Sequence, residues 1–272
     1  ASAAQPTPLP FKISLAQWTI NKELKAGQID NLDFAQVAHD HGIHAIEYVN
    51  QFFMDKADDQ RYLAEMKRRA EDLGVERLIL MCDREGNLGD PDPTRRVQTV
   101  ENHRKWIDAA KLLGCHSIRV NAASSGAWDE QVKLAADGLA KLTRWGDQAG
   151  INVIVENHGG LSSNADWLAE VITRVDHDRC GTLPDFGNFR IREGESYDSY
   201  RGIKKLMPWA KGVSVKDRDW DDKGNSLPLD FDRMLQIVID AGYHGHCGIE
   251  FGGYENLTQS RQALEAARTR LS

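Results

Sequence analysis

The chain has 272 residues, of which 41% are hydrophobic and 28% charged, and its mean hydropathy is -0.52, which is the composition of a folded globular protein of one large domain or two small ones. The net charge of -7 and the scattered Lys and Arg residues argue against tight binding to a nucleic-acid backbone. We expect no membrane span, because no uninterrupted apolar run approaches about 18 residues.

A helix–glycine–strand pattern recurs along the chain. At five places an amphipathic segment ends at a glycine, and a short β-branched run follows within a few residues. These glycines are Gly42, Gly74, Gly114, Gly150 and Gly242. A glycine just past a helix adopts the left-handed conformation that closes the helix. Short apolar runs are typical of buried parallel strands. One of the helices is predicted from about Pro93 to Leu113, because Pro and Thr favour a helix start.

The remaining apolar runs complete eight predicted strands, each followed by a helix. The strands cover about 12–19, 45–50, 76–82, 116–121, 152–157, 181–185, 212–216 and 247–251. This alternation predicts a parallel α/β sheet closed into a (β/α)8 TIM barrel. The alternative is an open doubly wound sheet, which usually carries a glycine-rich loop after its first strand, and LAQWTINKEL has none. We therefore expect a single barrel domain over residues 11–272.

Two features bear on the ends and the redox state of the chain. Residues 1–10 are predicted to be an extended segment, rich in small residues and proline. Such a segment is compatible with the remnant of a removed export signal, so the compartment stays open between cytoplasm and periplasm. The four cysteines lie more than thirty residues apart, which predicts free thiols rather than a zinc knuckle.

Polar residues at the strand ends are the first candidates for function, because the C-terminal ends of barrel strands form the active face. These residues are Glu47, Arg119, Asn121, Glu156, Asn157, His158, Asp185, Asn188, Lys216, Asp217 and Glu250. Side chains alternate along a strand, so Arg119 and Asn121 share a face. The same holds for Glu156 and His158.

Three of these residues, Glu156, Asp185 and Glu250, are carboxylates that would converge at the barrel mouth. Carboxylates a few ångströms apart repel each other unless a cation lies between them, and Lys216 or a divalent metal supplies that cation. Oxygen ligands favour Mn²⁺ or Mg²⁺, whereas a contribution from His158 would favour Zn²⁺ or Co²⁺. A lone acidic residue at a strand end often only caps a helix, but three together favour a site. We expect no nucleotide cofactor.

The motifs VIVENHGG, LPDFGNF, KGVSVKD and GHCGIEF resemble those of the sugar phosphate isomerase/epimerase family, the xylose isomerase-like TIM barrels. The resemblance extends from ISLAQWTI to the last helix. It implies two catalytic glutamates, Glu156 and Glu250, that also bind the metal. It also implies a metal-binding aspartate at Asp185.

Two positions depart from the family pattern. Ser214 stands where the family usually has a histidine ligand, and Asn188 stands where a histidine often follows the aspartate by three residues. The resemblance then implies either a metal held by three protein oxygens, with water or His158 completing the site, or replacement of the metal by Lys216.

These observations predict an isomerase or epimerase acting on a small keto-sugar or polyol. A carboxylate removes a proton next to a carbonyl, the metal or Lys216 stabilises the enediolate, and a second carboxylate returns the proton. The same site could act as a dehydratase or lyase on an inosose or 3-keto-glycoside. A sugar-binding barrel without catalysis is the non-enzymatic alternative. A nuclease is disfavoured, because the related repair nucleases need a histidine-rich metal cluster.

The predicted site therefore has two groups of residues. The predicted catalytic residues are Glu156, Glu250 and Lys216. The predicted substrate contacts are Trp18, Glu47, Arg119, Asn121, His158 and Asn188. Trp128 and Trp220 also follow strands, where an indole can form a wall for a sugar ring. The expected partner is a small neutral carbohydrate, and the sequence does not indicate an oligomeric state.

Overall fold

A computed structural model describes residues 9–272. Its strands are β1 (Lys12–Ala16), β2 (Ala45–Val49), β3 (Glu76–Met81), β4 (Ser117–Val120), β5 (Asn152–Glu156), β6 (Cys180–Leu183), β7 (Arg190–Arg192), β8 (Glu195–Ser196), β9 (Val213–Val215), β10 (Arg218–Trp220), β11 (Ser226–Pro228) and β12 (His246–Ile249). Its helices are α1 (Asn21–Lys25), α2 (Phe34–Asp40), α3 (Gln60–Asp72), α4 (Pro93–Leu113), α5 (Trp128–Ala149), α6 (Ala165–Val175), α7 (Ser199–Leu206), α8 (Phe231–Asp240) and α9 (Leu257–Leu271).

Eight of these strands form one parallel sheet that curves into a barrel. The order around the sheet is β6-β5-β4-β3-β2-β1-β12-β9. The seam between β6 and β9 is closed by two isolated parallel bridges, Thr182 to Ala210 and Asp185 to Ser214. The remaining four strands form two antiparallel hairpins, β7–β8 and β10–β11. The single-domain TIM barrel expected from the sequence is therefore confirmed.

The helix ends follow the local sequence. The predicted helix from Pro93 to Leu113 is confirmed as α4, and the Asp92 side chain caps it by accepting from the amides of Thr94 and Arg95. Gly114 closes the same helix with φ +81°. The other four predicted glycines also have positive φ.

Two predicted boundaries differ from the structure. The first strand ends at Ala16, and a 3-10 turn over Gln17–Ile20 follows it. The Gln17 side chain accepts from the Val49 amide at 2.8 Å and donates to Asn31 at 2.6 Å, which draws the chain out of the sheet. Residues 217–230, where the sequence analysis placed no strand, contain the β10–β11 hairpin.

The barrel interior and the helix–strand layer have separate apolar cores. The interior core is formed by Ala16, Ala45, Val49, Leu78, Ile79, Met81, Ile154 and Leu183. A larger core lies between the strands and the surrounding helices. The polar residues at the C-terminal strand ends thus stand above an apolar floor, where charges attract or repel one another strongly.

Three further expectations concern the rest of the chain. The four cysteines are free and buried, as predicted. None of the helices within residues 9–272 is long and apolar enough to cross a membrane. Of the extended segment predicted over residues 1–10, all but Leu9 and Pro10 lies outside the described residues.

Candidate active site

The three predicted carboxylates meet at the C-terminal mouth of the barrel. Glu156 ends β5, Asp185 follows β6 by two residues, and Glu250 follows β12 directly. One carboxylate oxygen from each residue lies within 4.8 Å of the others. Asp185 is fully buried, and Glu156 is almost so. The barrel topology has therefore assembled a dense negative cluster from three distant parts of the chain.

Lys216 lies inside this cluster. Its Nζ is 2.8 Å from Asp185 Oδ2 and 3.3 Å from Glu250 Oε1, and it donates to Asn188 Oδ1 at 3.3 Å. Burial alone would lower the pKa of Lys216, but Asp185 and Glu250 outweigh it and hold this pKa above its ordinary value. The lysine is thus a fixed positive charge against two of the three carboxylates.

The close approach of Lys216 depends on a glycine. A Cβ on Gly187 would lie 3.0 Å from Lys216 Cδ and would overlap the Arg218 carbonyl oxygen. The Gly187 amide also donates to Asp185 Oδ1 at 2.8 Å. Asn157 holds the Asp185 backbone from the other side, accepting from its amide at 2.8 Å. The Gly187 amide therefore fixes the Asp185 carboxylate, and the Asn157 side chain fixes the Asp185 backbone.

Arg119 supplies the second buried cation. Its Nε lies 2.9 Å from Glu156 Oε2, and its Nη1 donates to Asp83 Oδ1 at 2.7 Å. Burial raises the pKa of Glu156 well above its ordinary value; Arg119 opposes this effect, and Asp185 and Glu250 add to it. Asn188 Nδ2 donates to the free oxygen of Glu156, Oε1, at 3.2 Å. Both oxygens of Glu156 consequently have a partner.

Ser214 and Asn121 hold acidic side chains in place. Ser214 Oγ donates to Glu250 Oε2 at 2.8 Å. Asn121 Nδ2 donates to Asp83 Oδ1 at 3.0 Å. Ser214 thus fixes the orientation of Glu250. Asn121, predicted to contact substrate, orients Asp83, and its contact with substrate stays a prediction.

Glu47 does not reach the mouth of the barrel. Its side chain is fully buried, with Ser14 Oγ donating to Oε1 at 2.7 Å. Burial raises the pKa of this carboxyl to about 7, against the hydrogen bond from Ser14. The sequence analysis placed Glu47 at a strand end, but it is the middle residue of β2 (Ala45–Val49) and lies deeper in the barrel, because one strand carries inward-facing side chains at several depths.

A cavity of about 440 Å³ opens above the cluster. Glu156, Lys216 and Glu250 form its charged floor, and Trp18 and His158 stand in its wall. Arg119 and Asn188 also line it. The volume lies within the range of about 300–1,000 Å³ that is usual for small-molecule sites.

Three further polar residues line this cavity that the sequence analysis did not single out: Gln51, Asp83 and Arg84. Gln51 Nε2 donates to Asp83 Oδ2 at 2.9 Å. Burial acts to raise the pKa of Asp83, but Arg119 outweighs it and holds this pKa below its ordinary value. The signal for Asp83 was present, because it follows the predicted third strand as the other candidates follow theirs.

The comparison with known families agrees with this geometry. The chain matches the model of the xylose isomerase-like TIM barrels over residues 35–270. It belongs to that family.

Two curated proteins of related sequence have enzyme names. One is an inosose dehydratase from Erwinia tasmaniensis, 23% identical over 58% of this chain and 64% of that protein. The other is a putative hydroxypyruvate isomerase from Mus musculus, 24% identical over 58% of this chain and 62% of that protein. Each match thus spans less than two thirds of the relative's own length.

Solved structures share the fold over nearly the whole chain. A xylose isomerase domain protein from Planctomyces limnophilus has a TM-score of 0.75 at 16% identity, covering 98% of this chain and 99% of that chain. A 3-keto-D-glucoside 4-epimerase from E. coli has a TM-score of 0.71 at 15% identity, covering 94% and 99%. At these identities the likeness establishes the fold.

Two structural neighbours contain a divalent metal. One is an IOLI protein with zinc (TM-score 0.73, 14% identity, covering 96% of this chain and 99% of that chain). The other is a barrel from Mycobacterium smegmatis with magnesium (TM-score 0.69, 17% identity, covering 96% and 98%).

The carboxylate cluster of this chain fits a divalent ion in ligand type and spacing. Within the part of the chain that the structure describes, the group with metal-ligand spacing is Glu156, Asp185 and Glu250. All three offer oxygen, which suits hard ions such as Mg²⁺ and Mn²⁺. His158 is not in this group, so the geometry does not favour the alternative in which a histidine selects zinc. Lys216 already contacts two of the three carboxylates.

Proposed function

We propose that this protein is a sugar isomerase or epimerase that removes a proton from the carbon next to a carbonyl of a small keto-sugar. The observation that carries the proposal is the meeting of Glu156, Glu250 and Lys216 on the floor of one cavity at the barrel mouth. Two carboxyl groups allow one to take the proton and the other to return it. The enzyme names of the curated relatives and the epimerase among the structural neighbours support the same chemistry.

Each polar group on the cavity floor has a role in this reaction. One of Glu156 and Glu250 acts as the base, and its partner protonates the opposite face or the neighbouring carbon. The Lys216 ammonium donates to the oxygen on which charge develops, from a floor of mostly buried side chains. Ser214 keeps Glu250 oriented, and Arg119 keeps Glu156 in place.

A divalent ion belongs to this proposal as a second source of positive charge. Glu156, Asp185 and Glu250 would hold it, and when bound it would act as a Lewis acid on the developing oxyanion. Binding requires Lys216 to give up its contacts with Asp185 and Glu250. We favour Mn²⁺ or Mg²⁺, because the three ligands are carboxylates.

Dehydration or elimination is the second candidate. The relative named inosose dehydratase favours it, and the first step, removal of a proton next to a carbonyl, is the same. The two outcomes differ in the product: an isomer keeps the mass of the substrate, whereas dehydration removes one water.

The experiment is a solvent-deuterium assay on a panel of ketoses, inososes and 3-keto-sugars, with and without added Mn²⁺, Mg²⁺ or Zn²⁺. We expect deuterium at the carbon next to the carbonyl, read by mass spectrometry together with product mass. Glu156→Gln and Glu250→Gln each keep size and hydrogen bonding but remove the base, so we expect turnover to fall by about 10²- to 10⁴-fold, mainly in kcat.

Glu255→Gln is the control, because Glu255 is an exposed residue on the loop after β12. It should exchange deuterium at the wild-type rate. If both active-site variants turned over substrate at the wild-type rate, another residue would have to be the base. Absence of exchange on the whole panel, with sugar binding retained, would instead identify a sugar-binding barrel without catalysis.

A further inference from the structure

A second cavity, of about 470 Å³, lies beside the first at the same end of the barrel. Its walls come from two insertions that the eight barrel strands do not need: the β7–β8 hairpin after β6 and the β10–β11 hairpin after β9. His158 and Asn188 line both cavities. The two spaces are therefore neighbours across these two side chains.

The wall that separates the cavities is connected to the proposed chemistry. Asn188 donates to Glu156 and accepts from Lys216, so a substrate held at these residues has Asn188 at its side. Exposed His158 offers a polar ring at the same point. The second cavity therefore begins beside the residues that are proposed to hold the reacting sugar.

The surface of the second cavity suits a sugar ring. Trp220 on β10 is 41% exposed, and its indole provides an apolar face in a wall that also contains polar side chains such as Arg190 and Asn188. Gly187 and Gly224 leave the wall without side chains at two points, and an added Cβ on Gly224 would lie 3.6 Å from the Arg190 guanidinium. An aromatic face beside a hydrogen-bond donor is what recognises a pyranose, which has an apolar face and a polar edge.

The two arginines of this wall each have a partner within the protein. Arg192 is exposed and is paired with Glu195 at 2.6 Å. Arg190 Nε points to the carbonyl oxygen of Asp222 at 3.4 Å. A neutral ring uses such weakly engaged donors without needing a concentrated positive charge.

We infer that the second cavity is a subsite for a second sugar ring, so that the substrate is a keto-glycoside whose keto-ring lies over Lys216 and whose other ring stacks on Trp220. The inference rests on the proposed function for the identity of the first ring. It adds the substrate class: a two-ring glycoside rather than a free monosaccharide.

The test compares two substrates in the deuterium-exchange assay, 3-keto-glucose and a 3-keto-disaccharide such as 3-keto-maltose. We expect wild-type protein to have the higher kcat/KM on the disaccharide. Trp220→Ala should reduce the ratio of the two kcat/KM values about tenfold, whereas Trp220→Phe, which keeps a stacking face, should recover most of it.

Trp128→Ala is the matched control. Trp128 also follows a strand and is 36% exposed, but its Nε1 donates to Glu170 on α6, away from both cavities. It should leave the substrate ratio unchanged. An unchanged ratio in Trp220→Ala, or an equal fall in Trp128→Ala, would overturn the subsite.

A binding experiment tests the subsite independently of the proposed function. Saturation-transfer NMR with maltose, which has no keto group, reports contact of each ring whether or not the protein is catalytic. We expect signals from both rings in wild-type protein and loss of one ring's signals in Trp220→Ala. If both maltose rings contact the protein but no deuterium exchange occurs, the proposed chemistry is refuted and the subsite is retained. If only one ring contacts the protein, the subsite is refuted and the proposed chemistry is retained.

Discussion

The Glu47 carboxyl lies inside the barrel, below the polar floor of the cavity. A Cβ on Gly248 would lie 2.6 Å from Glu47 Oε1, so this glycine leaves the space that the carboxyl occupies. One oxygen accepts from Ser14, whereas the other, Oε2, is buried without a hydrogen-bond partner among the described residues. An ionised carboxylate in such a place is costly, which is why the pKa rises.

Glu47→Gln should therefore change how stability depends on pH. Burial raises the Glu47 pKa from 4.5 to about 7 in the folded protein. A raised folded-state pKa contributes stability that is complete below pH 4.5 and is lost as the pH rises through about 7. Because glutamine does not ionise, we expect the variant to gain about 3 kcal/mol relative to wild type between pH 4.5 and pH 8.5.

The measurement is urea unfolding of both proteins in chelator across that pH range. Glu255→Gln, at an exposed position, serves as the control and should follow the wild-type profile. A constant difference between Glu47→Gln and wild type at every pH would mean that Glu47 does not titrate in this range.

At the scale of single elements, the sequence predicted helices and barrel strands well and hairpins poorly. The C-terminal glycines are visible in the sequence because each needs a left-handed backbone, as Gly114 does with φ +81°. The β10–β11 hairpin has strands of three residues, too short for an alternating pattern. Its turn was the available signal, since Asp221 accepts from the amides of Lys223 and Asn225 ahead of the second strand.

Two glycines, one at the end of α5 and one within it, allow the energetic cost of backbone strain to be compared with that of steric overlap. Gly150 closes the helix with φ +78° and has open space around it. Gly150→Ala should therefore lower the free energy of unfolding by about 1 to 2 kcal/mol, which is the cost of placing alanine in the left-handed conformation. Gly138 lies within the helix, where an added Cβ would overlap the Leu88 carbonyl oxygen. We expect Gly138→Ala to cost about 3 kcal/mol, although alanine favours a helix interior.

Denaturant unfolding of the two variants at one pH compares these costs directly. Gly138→Ala should also shift the loop that contains Leu88, which a change in near-UV circular dichroism would reveal. If Gly150→Ala proved the more destabilising variant, the packing of this loop on α5 would be looser than the structure has it.

At the scale of the whole molecule, the barrel topology explains which parts of the site were predictable. Glu156, Asp185 and Glu250 were predicted together because parallel strands end at one face, whatever the loops do. The contact of Arg119 with Asp83 was not predicted: the position of Asp83 after the third strand was visible in the sequence, but the pairing depends on side-chain rotamers that no strand pattern encodes. The second cavity was missed because the hairpins that line it were not predicted, and the depth of Glu47 was missed because the predicted strand did not fix how far along the barrel the residue lies.

The candidate site lies on the least regular join of the barrel, which has isolated bridges in place of a continuous ladder. Along β4 and β5 four consecutive residue pairs are in register, whereas β6 and β9 are joined by two isolated bridges. Across this join Ser214 donates its amide to the Pro184 carbonyl at 2.9 Å, and the Phe186 amide donates to Ser214. The ion pair between Lys216 and Asp185 spans the same join. Residues of the candidate site thus also contribute to closing the barrel.

Hydrogen exchange should therefore be fastest, among the barrel strands, at this join. We expect the amides of Phe186 and Ser214 to exchange faster than those of β4 and β5, because fewer backbone bonds must open together. Lys216→Met leaves buried Asp185 without its cation, so exchange at the join should increase further while β4 and β5 change little. Lys22→Met, at an exposed position on α1, should change neither region. Exchange resolved by peptide mass spectrometry checks this, and equal rates around the whole barrel, unchanged in Lys216→Met, would show that the ion pair has no part in closing it.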